Sequence, residues 1–238
     1  MIRKKTIGIT GASGALGKSL TKIFQSKGYE VIGFTHKKKI KTLNTDAPDK
    51  WVYWESGKES LLEKNLKNID ILILNHGIYA KTTNNLDYEN SLYINAISKL
   101  KIFDLFKEIA LKENKQNLQK EIWINTSEAE LLPALNPTYE ISKSLIGNIV
   151  TFKKNFLTDK ESKKLIIKKI ILGPFKSELN PIGIMSPNFV AFLIFYISKI
   201  KSPLIIISPN PLSYILFPLK EFYFVIYCKF LKFLKILN

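Results

Sequence analysis

Apolar runs of strand length alternate with longer amphipathic segments along most of this chain. Short apolar runs bounded by turn residues are typical of strands, whereas apolar positions three and four residues apart are typical of helices. The pattern predicts strands at Thr6–Ile9, Glu30–Phe34, Trp51–Trp54, Asp70–Leu74, Glu121–Asn125, Leu165–Leu172 and Leu204–Ser208. It predicts helices at Lys18–Ser26, Asn90–Leu111, Tyr139–Phe156 and Asn188–Ser198.

Strands that alternate with helices predict a parallel sheet joined by right-handed crossovers. We therefore expect an α/β fold, a three-layer Rossmann-like doubly wound parallel sheet with helices on both faces. Residues 1–210 should form this domain, and residues 211–238 should form an apolar, basic, helical C-terminal tail. Because ligands of such sheets bind beside the carboxyl ends of the strands, chemically informative residues should directly follow strands.

A glycine-rich turn links the first strand to the first helix. A dinucleotide-binding turn needs glycines because its backbone must turn sharply and approach a pyrophosphate, which then meets the free N–H groups of the helix. The strand–turn–helix context makes this interpretation more specific than the glycines alone. A tight turn without a ligand is the alternative. The predicted cofactor-binding residues of the turn are Gly11, Ser13, Gly14, Ala15, Leu16 and Gly17.

The end of the second strand bears on the choice between NAD and NADP. NAD enzymes usually place an acidic residue there to bind the ribose 2′-hydroxyl. This chain has Thr35, His36 and Lys37 instead, followed by further lysines. These residues favour NADP(H) over NAD(H), because they would accept a 2′-phosphate. The alternative is that the lysines are simply a solvated charge run.

A tyrosine and a lysine share one helix face at Tyr139 and Lys143, since residues four apart are neighbours on a helix. Of the ten tyrosines, only Tyr139 has a lysine four positions later. A nearby ammonium favours the phenolate form of tyrosine, which suits proton exchange with a carbonyl or alcohol oxygen. Ser127 lies twelve residues before Tyr139.

From Thr6 to about Leu179 the chain resembles the short-chain dehydrogenase/reductase family. The resemblance implies hydride transfer between a nicotinamide cofactor and a carbonyl or alcohol. It implies that Tyr139 is the general acid/base, that Lys143 also binds the nicotinamide ribose, and that Ser127 holds the substrate oxygen. Asn95 would link Lys143 to solvent through water. A non-catalytic nucleotide-binding regulator of the same fold is the alternative.

Further cofactor contacts follow from the same resemblance. Asn75 and Gly77 match the family segment after the fourth strand, with His76 between them as a structural loop residue. Pro174, Phe175 and Ser177 match the segment that contacts the nicotinamide. The glycine spacing TGxxGxxG is commoner in the longer, epimerase-like members. Because the chain is too short for their extra substrate domain, we expect the short single-domain form.

The formal net charge of +16 raises the possibility of an anionic partner. Arg3 is the only arginine, so the excess is almost entirely lysine, which favours a drift in residue usage over phosphate recognition. Attraction to a membrane surface is the alternative. We expect no nucleic acid, because the sequence contains no recognised nucleic-acid-binding module. With Cys228 as the only cysteine, we expect no disulfide and no metal.

The remaining expectations concern location and partners. The start of the chain lacks the apolar stretch of a signal peptide, so we expect a cytoplasmic protein. The loop after Ser177 has no charged cluster, which favours a small apolar carbonyl or alcohol as substrate. Family members commonly pair through their long helices, so we expect a homodimer.

The lysines near the C-terminus, Lys229, Lys232 and Lys235, alternate with aromatic and aliphatic residues. This pattern predicts a helix that lies peripherally on a membrane. The alternative is that the helix packs on the domain or on a second subunit.

Overall fold

The computed structural model describes residues 3–37, 47–80, 84–113 and 119–234. In this part of the chain, seven strands form one parallel sheet in the order β3-β2-β1-β4-β5-β6-β7. The strands are β1 (Thr6–Thr10), β2 (Glu30–Thr35), β3 (Lys50–Tyr53), β4 (Ile71–Leu74), β5 (Lys120–Asn125), β6 (Leu165–Leu172) and β7 (Leu204–Ile207). The predicted Rossmann-like sheet is confirmed, and each predicted strand is present within one residue of its expected bounds.

Helices cover both faces of the sheet. They are α1 (Ala15–Ser26), α2 (Glu63–Leu66), α3 (Asn85–Leu92), α4 (Ser98–Lys112), α5 (Pro137–Asn155), α6 (Asp159–Ser162), α7 (Pro187–Ile197) and α8 (Ser213–Phe233). One core lies between the sheet and the α1/α7 layer, around Phe24 and Phe195. The other lies beneath α4 and α5, around Phe106 and Ile146. The sequence did not predict the four-residue helices α2 and α6, which are too short to show a period.

The strand order reverses beside β1, between β2 on one side and β4 on the other. In open parallel sheets this switch point leaves a crevice at the carboxyl edge, meaning the edge where the strands end. The loops after β1, β2, β4, β5 and β6 all leave the sheet at this edge. The fold therefore brings the candidate cofactor and catalytic residues to one side of the molecule.

The C-terminal segment is a continuous helix that packs on the domain. α8 begins beside the loop after β5 and follows α5, with the Phe224 ring 5.1 Å from the Phe152 ring and Lys232 donating to the Asn155 carbonyl. Phe217 and Cys228 are buried. One face of the C-terminal helix thus packs on the domain. Lys235 lies outside the described residues. None of the described helices, α8 included, combines the length and hydropathy that a bilayer crossing requires.

Candidate active site

The turn between β1 and α1 has the geometry of a phosphate cradle. Gly11 has a φ of +67°, which favours glycine. A β carbon on Gly17 would lie 2.2 Å from the Gly11 carbonyl oxygen, so the turn can close only because residue 17 is a glycine. Gly14 precedes α1 and offers no side chain to cap it, and the first turn of α1 contains no acidic residue. The exposed N–H groups there would suit an anion. Because the Leu16 side chain is buried in the core, only its backbone could contribute.

At the end of β2, the Thr35 hydroxyl is buried and already engaged. It lies 3.1 Å from the Ser13 hydroxyl and accepts the Lys37 N–H at 3.1 Å. His36 and Lys37 are exposed. The side chains available to a ribose substituent are therefore those of His36 and Lys37, while Thr35 ties the end of β2 to the glycine turn. Lys38 to Lys41 lie outside the described residues.

The segment after β4 is held against the glycine turn. Thr10 Oγ1 accepts the Asn75 N–H at 2.9 Å and lies 2.8 Å from His76 Nδ1. Burial, with the charges of Lys99 and Lys143, lowers the pKa of His76 well below its usual value, so the ring is neutral at pH 7. His76 Nε2 has no hydrogen-bond partner among the described residues. These contacts agree with a structural loop histidine.

Asn95 lies in a π-helical turn, Tyr93–Ile97, between α3 and α4. Such turns are rare and often occur at functional sites. The Asn95 side chain accepts the Ile78 N–H at 2.8 Å and donates to the Ile78 carbonyl at 3.0 Å and to Ser142 Oγ at 2.9 Å. It therefore clamps the loop after β4 to α5.

Tyr139 and Lys143 share one face of α5, as predicted. Lys143 Nζ lies 5.2 Å from the centre of the Tyr139 ring. A β carbon on Gly77 would lie 3.6 Å from Lys143 Nζ and 2.8 Å from Asn95 Oδ1. The structure thus brings Tyr139, Lys143, Asn95 and Gly77 together at the carboxyl edge. Lys143 is buried and Tyr139 is half-buried, so the phenol can still meet a substrate.

Ser127 follows β5 at the same edge. Its hydroxyl oxygen accepts the Ala129 N–H at 3.2 Å, which leaves the hydroxyl proton free to be donated. Glu128 beside it accepts hydrogen bonds from Ser208 at 2.5 Å and from Ser213 at 3.2 Å. The loop that carries Ser127 is therefore tied to the start of α8.

Three residues that the sequence reasoning missed position this group. Asn136 caps α5 by accepting the Tyr139 N–H at 2.8 Å, and it donates to the Ala80 carbonyl at 2.7 Å. The Tyr79 ring lies 5.3 Å from the Tyr139 ring. Buried Lys99 donates to the Asn125 carbonyl at 2.9 Å. Asn followed by Pro137 is a recognisable helix-start signal and could have revealed Asn136.

The loop after β6 folds back on itself. The Pro174 carbonyl accepts the Ile184 N–H at 3.0 Å, and Phe175 bridges to Met185. The Ser177 hydroxyl accepts the Asn180 N–H at 3.1 Å. Pro174, Phe175 and Ser177 therefore lie on a hairpin-like loop at the carboxyl edge.

The sheet order and the glycine turn together define a Rossmann-type fold with the geometry of a dinucleotide-binding site. Residues 7–137 match the NAD dependent epimerase/dehydratase family model. The chain is also 36% identical over 230 residues to monoglucosyldiacylglycerol epimerase of Synechocystis, covering 95% of this chain and 54% of the relative. The chain belongs to the NAD dependent epimerase/dehydratase family, and it spans about half the length of this curated relative.

The same fold is found in solved structures of other proteins. A short-chain dehydrogenase from Burkholderia cenocepacia, in complex with NADP, has a TM-score of 0.72 and 13% identity, with 87% of this chain and 89% of that chain covered. One from Sphingobium yanoikuyae, in complex with NADPH, has the same TM-score and identity, with 87% and 88% covered.

The predicted resemblance is thus confirmed at the level of the superfamily, whereas the family model that matches is that of the epimerase branch. The TGxxGxxG spacing, commoner in the longer, epimerase-like members, agrees with this branch. Tyr139 and Lys143 lie beyond the residues that the family model matches but within the carboxyl-edge group described above.

Proposed function

We propose that this chain is an NAD(P)-dependent epimerase that inverts one hydroxyl-bearing carbon in the sugar of a glycolipid. The observation that carries this proposal is the Tyr139–Lys143 pair, set with Asn95 and Gly77 at the carboxyl edge of the sheet. The relative named as an epimerase of monoglucosyldiacylglycerol supports the substrate class. This substrate replaces the small apolar carbonyl or alcohol that we expected from the loop after Ser177.

The residues present fit a dinucleotide. Gly11, Gly14 and the uncapped start of α1 would hold the pyrophosphate, and Lys143 would bind the nicotinamide ribose. The missing acidic residue after β2, with Lys37 exposed there, supports NADP(H) over NAD(H). When bound, the nicotinamide would supply the acceptor and donor of the hydride that leaves the sugar carbon and returns to its opposite face.

The chain's own residues would manage the proton. Tyr139, beside Lys143, would take the hydroxyl proton while the carbinol carbon becomes a ketone. Ser127 donates a hydrogen bond to the same oxygen and so supports it in both directions. After the sugar presents its other face, Tyr139 returns the proton. The reaction is redox-neutral overall, because hydride and proton both return to the substrate.

The hydride route limits the carbon that can be inverted. It requires a secondary carbon with both a hydrogen and a free hydroxyl. In a glucosyl lipid these are C2, C3 and C4, because C1 carries the lipid, C5 carries the ring oxygen and C6 is primary. Inversion at one of these three positions is therefore the expected product.

The test uses glucosyldiacylglycerol in detergent micelles, deuterated at C2, C3 and C4, with catalytic NADP⁺ or NAD⁺. We expect an epimer that retains all its deuterium, with no net change in the absorbance of reduced cofactor. Accumulation of ketone with stoichiometric reduced cofactor would indicate a net dehydrogenase. Nucleotide binding without turnover would indicate the regulatory alternative. Loss of deuterium to water from the inverted carbon itself would exclude the hydride route.

A diacylglycerol substrate resides in a bilayer, so the proposed enzyme works peripherally at a membrane surface. The expectations of a cytoplasmic site and of a homodimer accompany this proposal as predictions. Because α8 packs along α5, a dimer interface that uses α5 would have to include α8 or rely mainly on α4.

A further inference from the structure

An ordinary surface helix buries its apolar residues and exposes its polar ones, whereas α8 also exposes many large apolar side chains. Its only acidic residue, Glu221, is buried, and so is Ser213. Eight large apolar side chains of α8 are each at least half exposed. We call these residues the outer face of α8: Tyr214, Ile215, Leu219, Phe222, Tyr223, Ile226, Phe230 and Phe233.

A buried ion network fixes this orientation. Glu221 accepts hydrogen bonds from Lys169 at 3.0 Å, Thr151 at 2.6 Å and Lys154 at 2.5 Å. Lys220 pairs with Glu130 at 3.1 Å. A rotation of α8 that buried its outer face would separate Glu221 and Lys220 from the partners with which they form hydrogen bonds and ion pairs. The apolar surface is therefore a fixed feature of the folded chain.

We infer that the outer face of α8 docks on the surface of a bilayer that contains anionic lipid, with α8 lying in the plane of the interface. Helices that bind this way present aromatic and aliphatic residues to the acyl boundary and lysines to the headgroups. Lys229 is exposed near the end of α8, and no exposed acidic residue on the helix opposes it, whereas Lys232 is bound to the Asn155 carbonyl. The net charge of +16 acts in the same direction.

The size of the outer face argues against a second copy as its occupant. A 21-residue helix is about 30 Å long, so a strip about 10 Å wide covers about 300 Å². Stable protein partners bury about 800 Å² each. A bilayer needs no matching partner surface and accepts a narrow strip.

The position of α8 connects this surface to the carboxyl edge. α8 begins at Ser213, which bonds to Glu128 directly after Ser127. A helix lying flat would thus hold the mouth of the site at headgroup height, where the sugar of a glycolipid lies. This last step rests on the proposed function, whereas the docking itself does not.

The test compares the full chain with Phe222→Asp/Ile226→Asp in co-sedimentation with vesicles of phosphatidylcholine and phosphatidylglycerol that contain no glycolipid. We expect at least roughly tenfold weaker binding, because two carboxylates would enter the apolar boundary. Leu61→Asp, which places a carboxylate at a leucine that is 71% exposed and lies away from α8, should bind like the parent protein. Circular dichroism checks that each variant folds.

The docking proposal would be overturned if the parent protein stayed in the supernatant. It would also be overturned if the double variant sedimented like the parent protein. A parent dimer that the double variant turns into a monomer would overturn it as well, because a second copy would then cover the outer face. Epimerisation in micelles reports separately on the proposed function: it should survive the double variant, and its absence in both proteins would refute only the epimerase.

Discussion

At the scale of single residues, Tyr139 is the group on which the proposed chemistry depends. Tyr139→Phe should bind cofactor normally and lose turnover by about 10²- to 10⁴-fold, because it can neither take nor return the proton. Initial rates with glucosyldiacylglycerol in micelles, and cofactor titration by calorimetry, measure the two effects.

The neighbouring tyrosine supplies a matched control. Tyr79 lies against Tyr139, so Tyr79→Phe removes a hydroxyl from the same part of the site without touching the proton acceptor. It should leave turnover within a few-fold of the parent protein. A Tyr139→Phe protein that is as active as Tyr79→Phe would exclude the proposed mechanism.

Cofactor choice is also decided by individual side chains. The protein should bind NADP(H) more tightly than NAD(H), because exposed Lys37 can pair with a 2′-phosphate. Lys37→Glu should weaken the binding of NADP(H) and should reduce or reverse the preference for NADP(H) over NAD(H). Calorimetry measures both affinities. Lys64→Glu, an exposed charge reversal on α2, serves as the control. A parent protein that prefers NAD(H) would refute the assignment.

At the scale of elements, β6 shows how the sequence pattern can mislead. Leu165–Leu172 was predicted as an apolar strand, and the strand forms, yet it contains Lys168 and Lys169. Both are buried: Lys168 lies near Glu121 at 3.2 Å and donates to the Ser198 carbonyl, while Lys169 joins the network under α8. Successive strand residues face opposite sides of the sheet, so each lysine meets its own partners.

The same element predicts how stability depends on pH. Burial alone would raise the pKa of Glu221, but Lys169 and Lys154 outweigh it and lower the pKa from 4.5 to about 2. A lowered carboxyl pKa stabilises the fold above the unfolded value, and this stability is lost as the pH falls. The parent protein should therefore lose stability between about pH 4.5 and pH 2 as α8 loses its ion pairs.

Glu221→Gln supplies the comparison for that prediction. It should be less stable than the parent protein at pH 7, because Lys169 and Lys154 lose a charged partner in a buried place. Its stability should also change less between pH 4.5 and pH 2, as followed by urea unfolding at each pH. Parallel pH profiles for the two proteins would show that Glu221 does not govern the acid transition.

Periodicity and spacing anticipated the elements that bury apolar faces and the turn that needs glycines. The Tyr139–Lys143 pair was equally accessible, because residues four apart on a helix must be neighbours. The π-helical turn at Asn95 could not be predicted from the sequence, because it depends on how the helical run from Asn85 meets the loop after β4. The pairing of Lys169 with Glu130 and Glu221 was also hidden, because contacts between distant segments leave no local pattern.

At the scale of the whole molecule, assembly remains a prediction. We expect a homodimer by light scattering at micromolar concentration, with α4 as the main contact because α8 already covers part of α5. A charge reversal on the exposed side of α4, Lys101→Glu, should shift the protein towards monomer, whereas Leu61→Asp should not. A monomeric mass for the parent protein would count against this interface.

The close approach of α5 to Glu130 has a consequence for how this sequence can vary. A β carbon on Gly147 would lie 2.0 Å from the Glu130 carboxyl carbon, so no larger residue fits at position 147 while Glu130 is present. Shortening Glu130 would make room, but it would leave the fully buried Lys169 with one acidic partner fewer. These three positions should therefore show strong epistasis: each single change is rejected in a mutational library, and combined changes are recovered together.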